Sequence, residues 1–168
     1  HLGPDSVETI CAQGELYLAD IVLHIPISTG EFDLMVNRLE AIKSKRGDSW
    51  TVDDDLALLR MRKIAVYLFF QLVDQQVRGE PFLKAAEAQA MQLLGPDHPT
   101  TIRLQRSHGI ALIRSGDHVG AIPLLEPVRG QLAKKLGEDH PNVLSLDSIL
   151  ASALAYDGQF ERSLALSA

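Results

Sequence analysis

Apolar positions along this chain recur at spacings of three and four, as in Val66, Phe69, Val73 and Val77, and nowhere settle into strict alternation. That is the signature of helices with one buried face, and it predicts an all-helical chain without strands. Gly and Pro divide the pattern into eight helical stretches, 5–25, 31–45, 52–78, 80–94, 99–115, 117–135, 141–157 and 159–168.

The stretches are not independent. Leu94-Gly95-Pro96-Asp97-His98-Pro99 returns as Leu136-Gly137-Glu138-Asp139-His140-Pro141, 42 positions later. Ala111-Leu112 matches Ala153-Leu154, and Gly116 matches Gly158, in the same register. Weaker openings stand at Leu2-Gly3-Pro4-Asp5 and Arg46-Gly47-Asp48-Ser49, so four units of two helices are expected, at about 1–45, 46–93, 94–135 and 136–168. Asp-His-Pro supplies a side-chain acceptor for the free amides of a helix start and then a proline in the first turn, where the missing N–H costs nothing. Asp5 with Glu8 has capping-box spacing. Gly30, Gly79, Gly116 and Gly158 are read as the turn between the two helices of each unit, because glycine closes a helix in the left-handed conformation.

At these residues the chain resembles the tetratricopeptide repeat (TPR) family, in its 42-residue, LGxDHP-marked variety found in kinesin light chains and bacterial signalling proteins. The generic small, turn, aromatic and alanine places are taken by Gly109, Gly116, His118 and Ala121, then by Ala151, Gly158, Phe160 and Ser163. The likeness is strong over 94–168 and loose over 1–93. His118, Ser163 and the prolines Pro123 and Pro127 depart from it, and the prolines are expected to bend the second helix of the third unit. The resemblance implies a right-handed superhelical solenoid of antiparallel helix pairs.

Insertions are read by phase. The opening and turn glycines are 27, 32, 21 and 21 apart in the four units. The second unit thus exceeds the standard by 11, about three helical turns at 3.6 residues each, which predicts one lengthened helix with unchanged facing. The excess of 6 in the first unit is placed in a loop around Pro26 and Ile27-Ser28-Thr29-Gly30.

Composition narrows the function classes. The 168 residues carry 22 Asp and Glu against 16 Lys and Arg, a formal charge of −6, which argues against nucleic acid or acidic membranes as the main partner. The longest apolar run, Ile64 to Leu72, is roughly half the ~20 residues that span a bilayer, and the first residues lack a basic-then-apolar export pattern. One cysteine, Cys11, excludes an internal disulfide framework and fits a reducing, cytoplasmic location. Cys11 has no local basic cluster and is read as an inert thiol. His98 and His140 occupy identical cap positions and are read as structural; His108 and His118 as core or surface residues. Asp53, Asp54 and Asp55 sit in a first turn, where carboxylates favour the helix dipole more simply than they would bind calcium. No phosphate loop, His-Glu-x-x-His or nucleophile elbow is present. The chain is therefore expected to be no enzyme and to need no cofactor or metal, with a cryptic catalytic site as the remote alternative.

Surface remains as the source of function. The inner face of a helical solenoid is its usual binding surface, and the resemblance implies contacts at places 2, 5, 9 and 13 of each first helix. These are Arg103, Arg106, Ile110 and Arg114 in the third unit and Ser145, Ser148, Ser152 and Tyr156 in the fourth. In the second unit the stripe is Arg62, Val66, Phe69, Val73 and Val77, with a buried-core role for its valines and phenylalanine left open, as is a solvated face for the arginines. The paired Lys and Asn of the two-carboxylate clamp are absent from these places. The expected function is a protein- or peptide-binding scaffold within a larger protein, its partner carrying an acidic segment. The alternative is a sensory or regulatory segment of a bacterial transcription regulator or Ser/Thr kinase. The chain opens within a repeat mark and stops in a second helix, which leads us to expect an excised piece with apolar ends prone to self-association.

Overall fold

In a computed structural model the described residues, 6–22, 29–71 and 76–167, form eight α-helices and one short 3-10 turn, Gly47–Ser49, and no strand. The helices are α1 Val7–Val22, α2 Thr29–Arg46, α3 Val52–Gln71, α4 Gln76–Leu94, α5 Pro99–Arg114, α6 His118–Leu136, α7 Pro141–Tyr156 and α8 Phe160–Leu166. They divide into two compact units, His1–Gln89 and Ala90–Ala168.

In the second unit the repeat grammar is realised bond for bond. His98 and His140 are the N-caps of α5 and α7, with backbone angles within 1° of each other. Each imidazole accepts through Nδ1, from Thr100 N and from Asn142 N, both at 3.1 Å. The side-chain acceptor of Asp-His-Pro is thus the histidine. At the other end, Asp117 N donates to Leu112 O at 2.8 Å and Gly116 N to Ile113 O at 3.0 Å; Gln159 and Gly158 repeat both bonds on Leu154 and Ala155. This paired 6→1 and 5→2 closure needs a left-handed residue, and Gly116 and Gly158 have φ of +89° and +78°. Pro123 and Pro127 lie on the exposed side of α6, which runs through both without interruption. Water can serve the carbonyls that lose their donors there.

The core of this unit is built from Ile102 of α5, Ala121, Leu125 and Val128 of α6, and Leu146 and Leu150 of α7. Gly109 permits the close approach of α5 to α6: a Cβ there would lie 2.3 Å from Leu125 Cδ2. A partly buried ion pair ties α6 to α7, with Arg129 Nε and Nη2 donating to the two oxygens of the buried Asp147 at 2.8 and 3.0 Å. Glu138 takes the remaining Nη1 at 2.7 Å. These bonds, with Asp147 foremost, raise the Arg129 pKa above its already high ordinary value.

The first unit gathers α1, α2 and α3 around Val7, Ile10, Met35, Val36, Leu39, Leu58 and Met61. Its boundaries depart from the sequence expectation. Of the helix expected over 52–78, Val52–Gln71 is described as α3 and 72–75 lie outside the described residues; α4 is helical from Gln76, so Gly79 lies inside α4 and Gly30 inside the first turn of α2. Neither is a turn residue. The lengthening by three whole turns falls partly outside the described residues, within which α3 spans 20 residues against 16 in α5 and in α7. The Asp5 cap and the loop around Pro26 fall mostly outside the described residues; Ser6 Oγ accepts from Thr9 N at 3.1 Å at the start of α1.

Asp54 belongs to a cap. Thr51 N donates to Asp54 Oδ2 at 2.9 Å, the Thr51 hydroxyl does so at 2.8 Å, and Asp54 N returns a bond to Thr51 Oγ1 at 3.2 Å, a reciprocal box at the start of α3. Asp55 pairs with Lys43 at 2.6 Å. Burial alone would raise the Asp54 pKa, but the Thr51 bonds and the Arg46 guanidinium hold it below the usual carboxylate value. A lowered folded pKa stabilises fully above the unfolded pKa, about 3.9, and that contribution is lost as pH falls through the folded value. Asp54→Asn is thus expected to cost about 1 kcal/mol at pH 7, with the gap to wild type narrowing below about pH 4. Urea unfolding midpoints across pH 2.5–7 read this; a gap constant with pH would remove the charge from the account.

Candidate functional site

The third and fourth first-helices, α5 and α7, carry the polar face that the repeat places single out. Arg103, Arg106, Ile110 and Arg114 follow one another at 3, 4 and 4 residues along α5 and share a face. Arg103 and Arg114 are exposed, and Arg106 and Ile110 are half-buried. Ser145, Ser148, Ser152 and Tyr156 run along α7, all exposed. The two rows meet where Arg106 Nη2 reaches Ser145 Oγ at 3.5 Å.

Hydrogen bonding orients the α7 row. Ser148 Oγ donates to Leu144 O at 3.1 Å and Ser152 Oγ to Ser148 O at 3.0 Å. With their protons committed to the helix, these hydroxyls offer lone pairs to anything that approaches. Tyr156 is held flat on His118, ring centroids 4.0 Å apart and 6° from parallel, so an exposed aromatic of α7 is fixed by the preceding helix pair. The spacing rule picked out Tyr156 but gave no sign of this stack, because the partner lies 38 positions away.

The arginines differ in what answers them. Arg46, Arg60, Arg62, Arg129 and Arg162 each have a carboxylate partner, respectively Asp54, Glu15, Glu40, Asp147 and Glu126. Among the described residues Arg103, Arg106 and Arg114 have none. The Nε of Arg106 is buried without any hydrogen-bond partner. A buried donor left unmet costs about 1–3 kcal/mol, and an arginine fork fits a carboxylate with two parallel bonds. Arg114 has a local role as well, since its charge stands in the last turn of α5 against the negative end of the helix dipole.

The other predicted contacts separate from this face. Arg62 is engaged inside the first unit, Nη2 on Glu40 at 2.8 Å and Nη1 on Gln89 Oε1 at 2.7 Å. Val66 is buried with the core of that unit. The Phe69 side chain and Val73 lie outside the described residues, and Val77 lies in α4 rather than α3.

Among the described residues no three His, Cys, Asp or Glu side chains come together as a metal site, and no helix is long and apolar enough to cross a membrane. Cys11 is buried; burial pushes its thiol pKa up, against the opposing pull of Arg60.

No family model matches the sequence, and no curated protein matches it. Solved structures do. BtubC (BKLC) from P. vanneervenii is similar over 96% of this chain and 70% of its own, at 12% identity and a TM-score of 0.59. A putative kinesin light chain with nearly identical TPR-like repeats from Podosopora anserina aligns over 99% of this chain and 93% of its own, at 19% identity and a TM-score of 0.44. Paired helices, left-handed glycine turns and a 42-residue register make the fold TPR-like.

Proposed function

From a chain folded as TPR-like helix pairs, we propose a scaffold that binds a protein or peptide through the α5–α7 face, with Arg103, Arg106 and Arg114 receiving an acidic segment. The observation that carries this is the contrast among arginines: five have carboxylates from the chain itself, and the three on one face of α5 have none among the described residues. In a chain of charge −6, internal carboxylates are plentiful, so leaving three neighbouring guanidiniums unanswered keeps them available. Arg106 is half-buried, so a carboxylate on its guanidinium is screened less by solvent than one on Arg103 or Arg114. Across the face, the outward lone pairs of Ser148 and Ser152 suit amide donors of an extended ligand backbone, and Ile110 offers an apolar contact between Arg106 and Arg114.

The test uses a fluorescein-labelled peptide of alternating Glu and Leu, titrated with wild type and with the Arg103→Ala, Arg106→Ala, Arg114→Ala variant. Single exposed ion pairs contribute about 0.2–1 kcal/mol, so each single change is expected to weaken binding by about fivefold at most. The triple variant is expected to lose more than about tenfold, and added salt to weaken the wild type far more than the variant. Circular dichroism should be unchanged, since Ala121 and Leu125 behind the face are untouched. Equal affinity of wild type and triple variant at low salt would move the site off this face.

A further inference from the structure

The two rows of the candidate face stand in register. Ser148 and Ser152 of α7 are the 42-residue counterparts of Arg106 and Ile110 of α5, and Tyr156 is that of Arg114. Arg106 and Ile110 stay half-buried and Arg114 exposed with α7 beside them, so the helix pair that follows α5 leaves these places open. Along α5 the order guanidinium, aliphatic, guanidinium is spaced by four residues, a rise of about 6 Å per step. An extended chain advances about 6.6 Å every two residues and sends those alternate side chains to one side. From Arg106 to Arg114 the two spacings differ by only about 1 Å in total, which flexible arginine stems absorb. Arg103 stands three residues before Arg106, about 4.5 Å away along the axis, and falls between the steps.

Resting on the reading of this face as a peptide site, we infer that its partner is an extended segment with the pattern acid, any residue, aliphatic, any residue, acid. The two acids meet Arg106 and Arg114, which have no carboxylate of the chain among the described residues, and the aliphatic side chain lies on Ile110. The α7 row selects an extended partner over a helical one. Ser148 and Ser152 spend their protons on Leu144 O and Ser148 O, so toward a ligand they only accept. The interior of a helix has no free amide to offer, since each N–H is bonded four residues back. An extended segment turns an N–H to one side every second residue, about 6.6 Å apart, which matches the step of about 6 Å between serines four apart. One edge of the ligand backbone is thus read by α7, and its alternate side chains by α5.

The experiment titrates the full chain into fluorescein-labelled peptides of one composition and charge: Thr-Glu-Thr-Leu-Thr-Glu-Thr, the isomer Thr-Glu-Thr-Thr-Leu-Glu-Thr, which turns the leucine to the other side, and Thr-Glu-Glu-Thr-Leu-Thr-Thr, which breaks the spacing of the acids. The first is expected to bind about fivefold or more tighter than either isomer. Ile110→Lys is expected to shift the affinity ratio of Thr-Glu-Thr-Glu-Thr-Glu-Thr to the leucine peptide by about tenfold toward the former, with circular dichroism unchanged. N-methylation of one set of alternate amides in the first peptide should weaken binding by about tenfold, and methylation of the other set should leave it within about twofold. Equal affinity of the three isomers, or an equal response to the two methylated sets, overturns the inference. If the alternating Glu and Leu peptide still loses affinity in the triple arginine variant, the reading of the face survives that failure; if it does not, both fall.

Discussion

Replacing Arg129 by methionine is expected to destabilise the second unit by about 3–5 kcal/mol. The carboxylate of Asp147 is almost fully buried, and both of its oxygens take their bonds from Arg129. Removing the guanidinium leaves that charge with neither solvent nor partner. Methionine keeps much of the side-chain volume, so the loss is electrostatic rather than a cavity. The double change Arg129→Met, Asp147→Leu is expected to recover most of the stability, because burying two apolar groups replaces an ion pair at little net cost. Urea unfolding of the two single variants and the double variant forms a cycle that measures the coupling. Additive losses would mean that the pair is not the unit of stabilisation.

Truncating Leu125 to alanine is expected to cost about 2–5 kcal/mol, the range for deleting a large buried side chain whose surroundings collapse only partly. Leu125 is fully buried and stands between α5 and α7. Its isopropyl group also occupies the space that a side chain on Gly109 would need, since an added Cβ would lie 2.4 Å from Leu125 Cγ and 2.3 Å from Cδ2. Gly109→Ala in the wild type should therefore destabilise by about 1–3 kcal/mol through overpacking, despite the gain of about 0.5–1 kcal/mol from alanine's helical preference. In the Leu125→Ala background the same change should be neutral or stabilising. Thermal unfolding of the four proteins reads the reversal of sign; a Gly109→Ala effect that is the same in both backgrounds would show that α5 and α6 yield by moving apart.

What the sequence by itself determined is local or repeated. The caps at His98 and His140, the glycine turns at 116 and 158, the helical phase of α5 to α8 and the small residue at Gly109 each act within a few positions or recur at 42, and each was legible. The α5 face was legible for the same reason, since Arg103, Arg106 and Arg114 fall at periodic places. In the first half the same marks misled. Gly30 and Gly79 sit in first turns of helices, where a glycine reads in sequence as a turn between helices. Tertiary structure alone decided which charges are answered. Arg129 finds Asp147 18 positions away, Arg62 finds Glu40 22 away and Arg60 finds Glu15 45 away. None of these pairs repeats: 42 positions before Arg129 and Asp147 stand Glu87 and Gln105. An ion pair depends on two side chains meeting within about 4 Å, a condition that packing sets and that no spacing along the chain encodes. That Val66 is core, that Tyr156 rests on His118, and that three arginines are left without carboxylates among the described residues follow from the same cause.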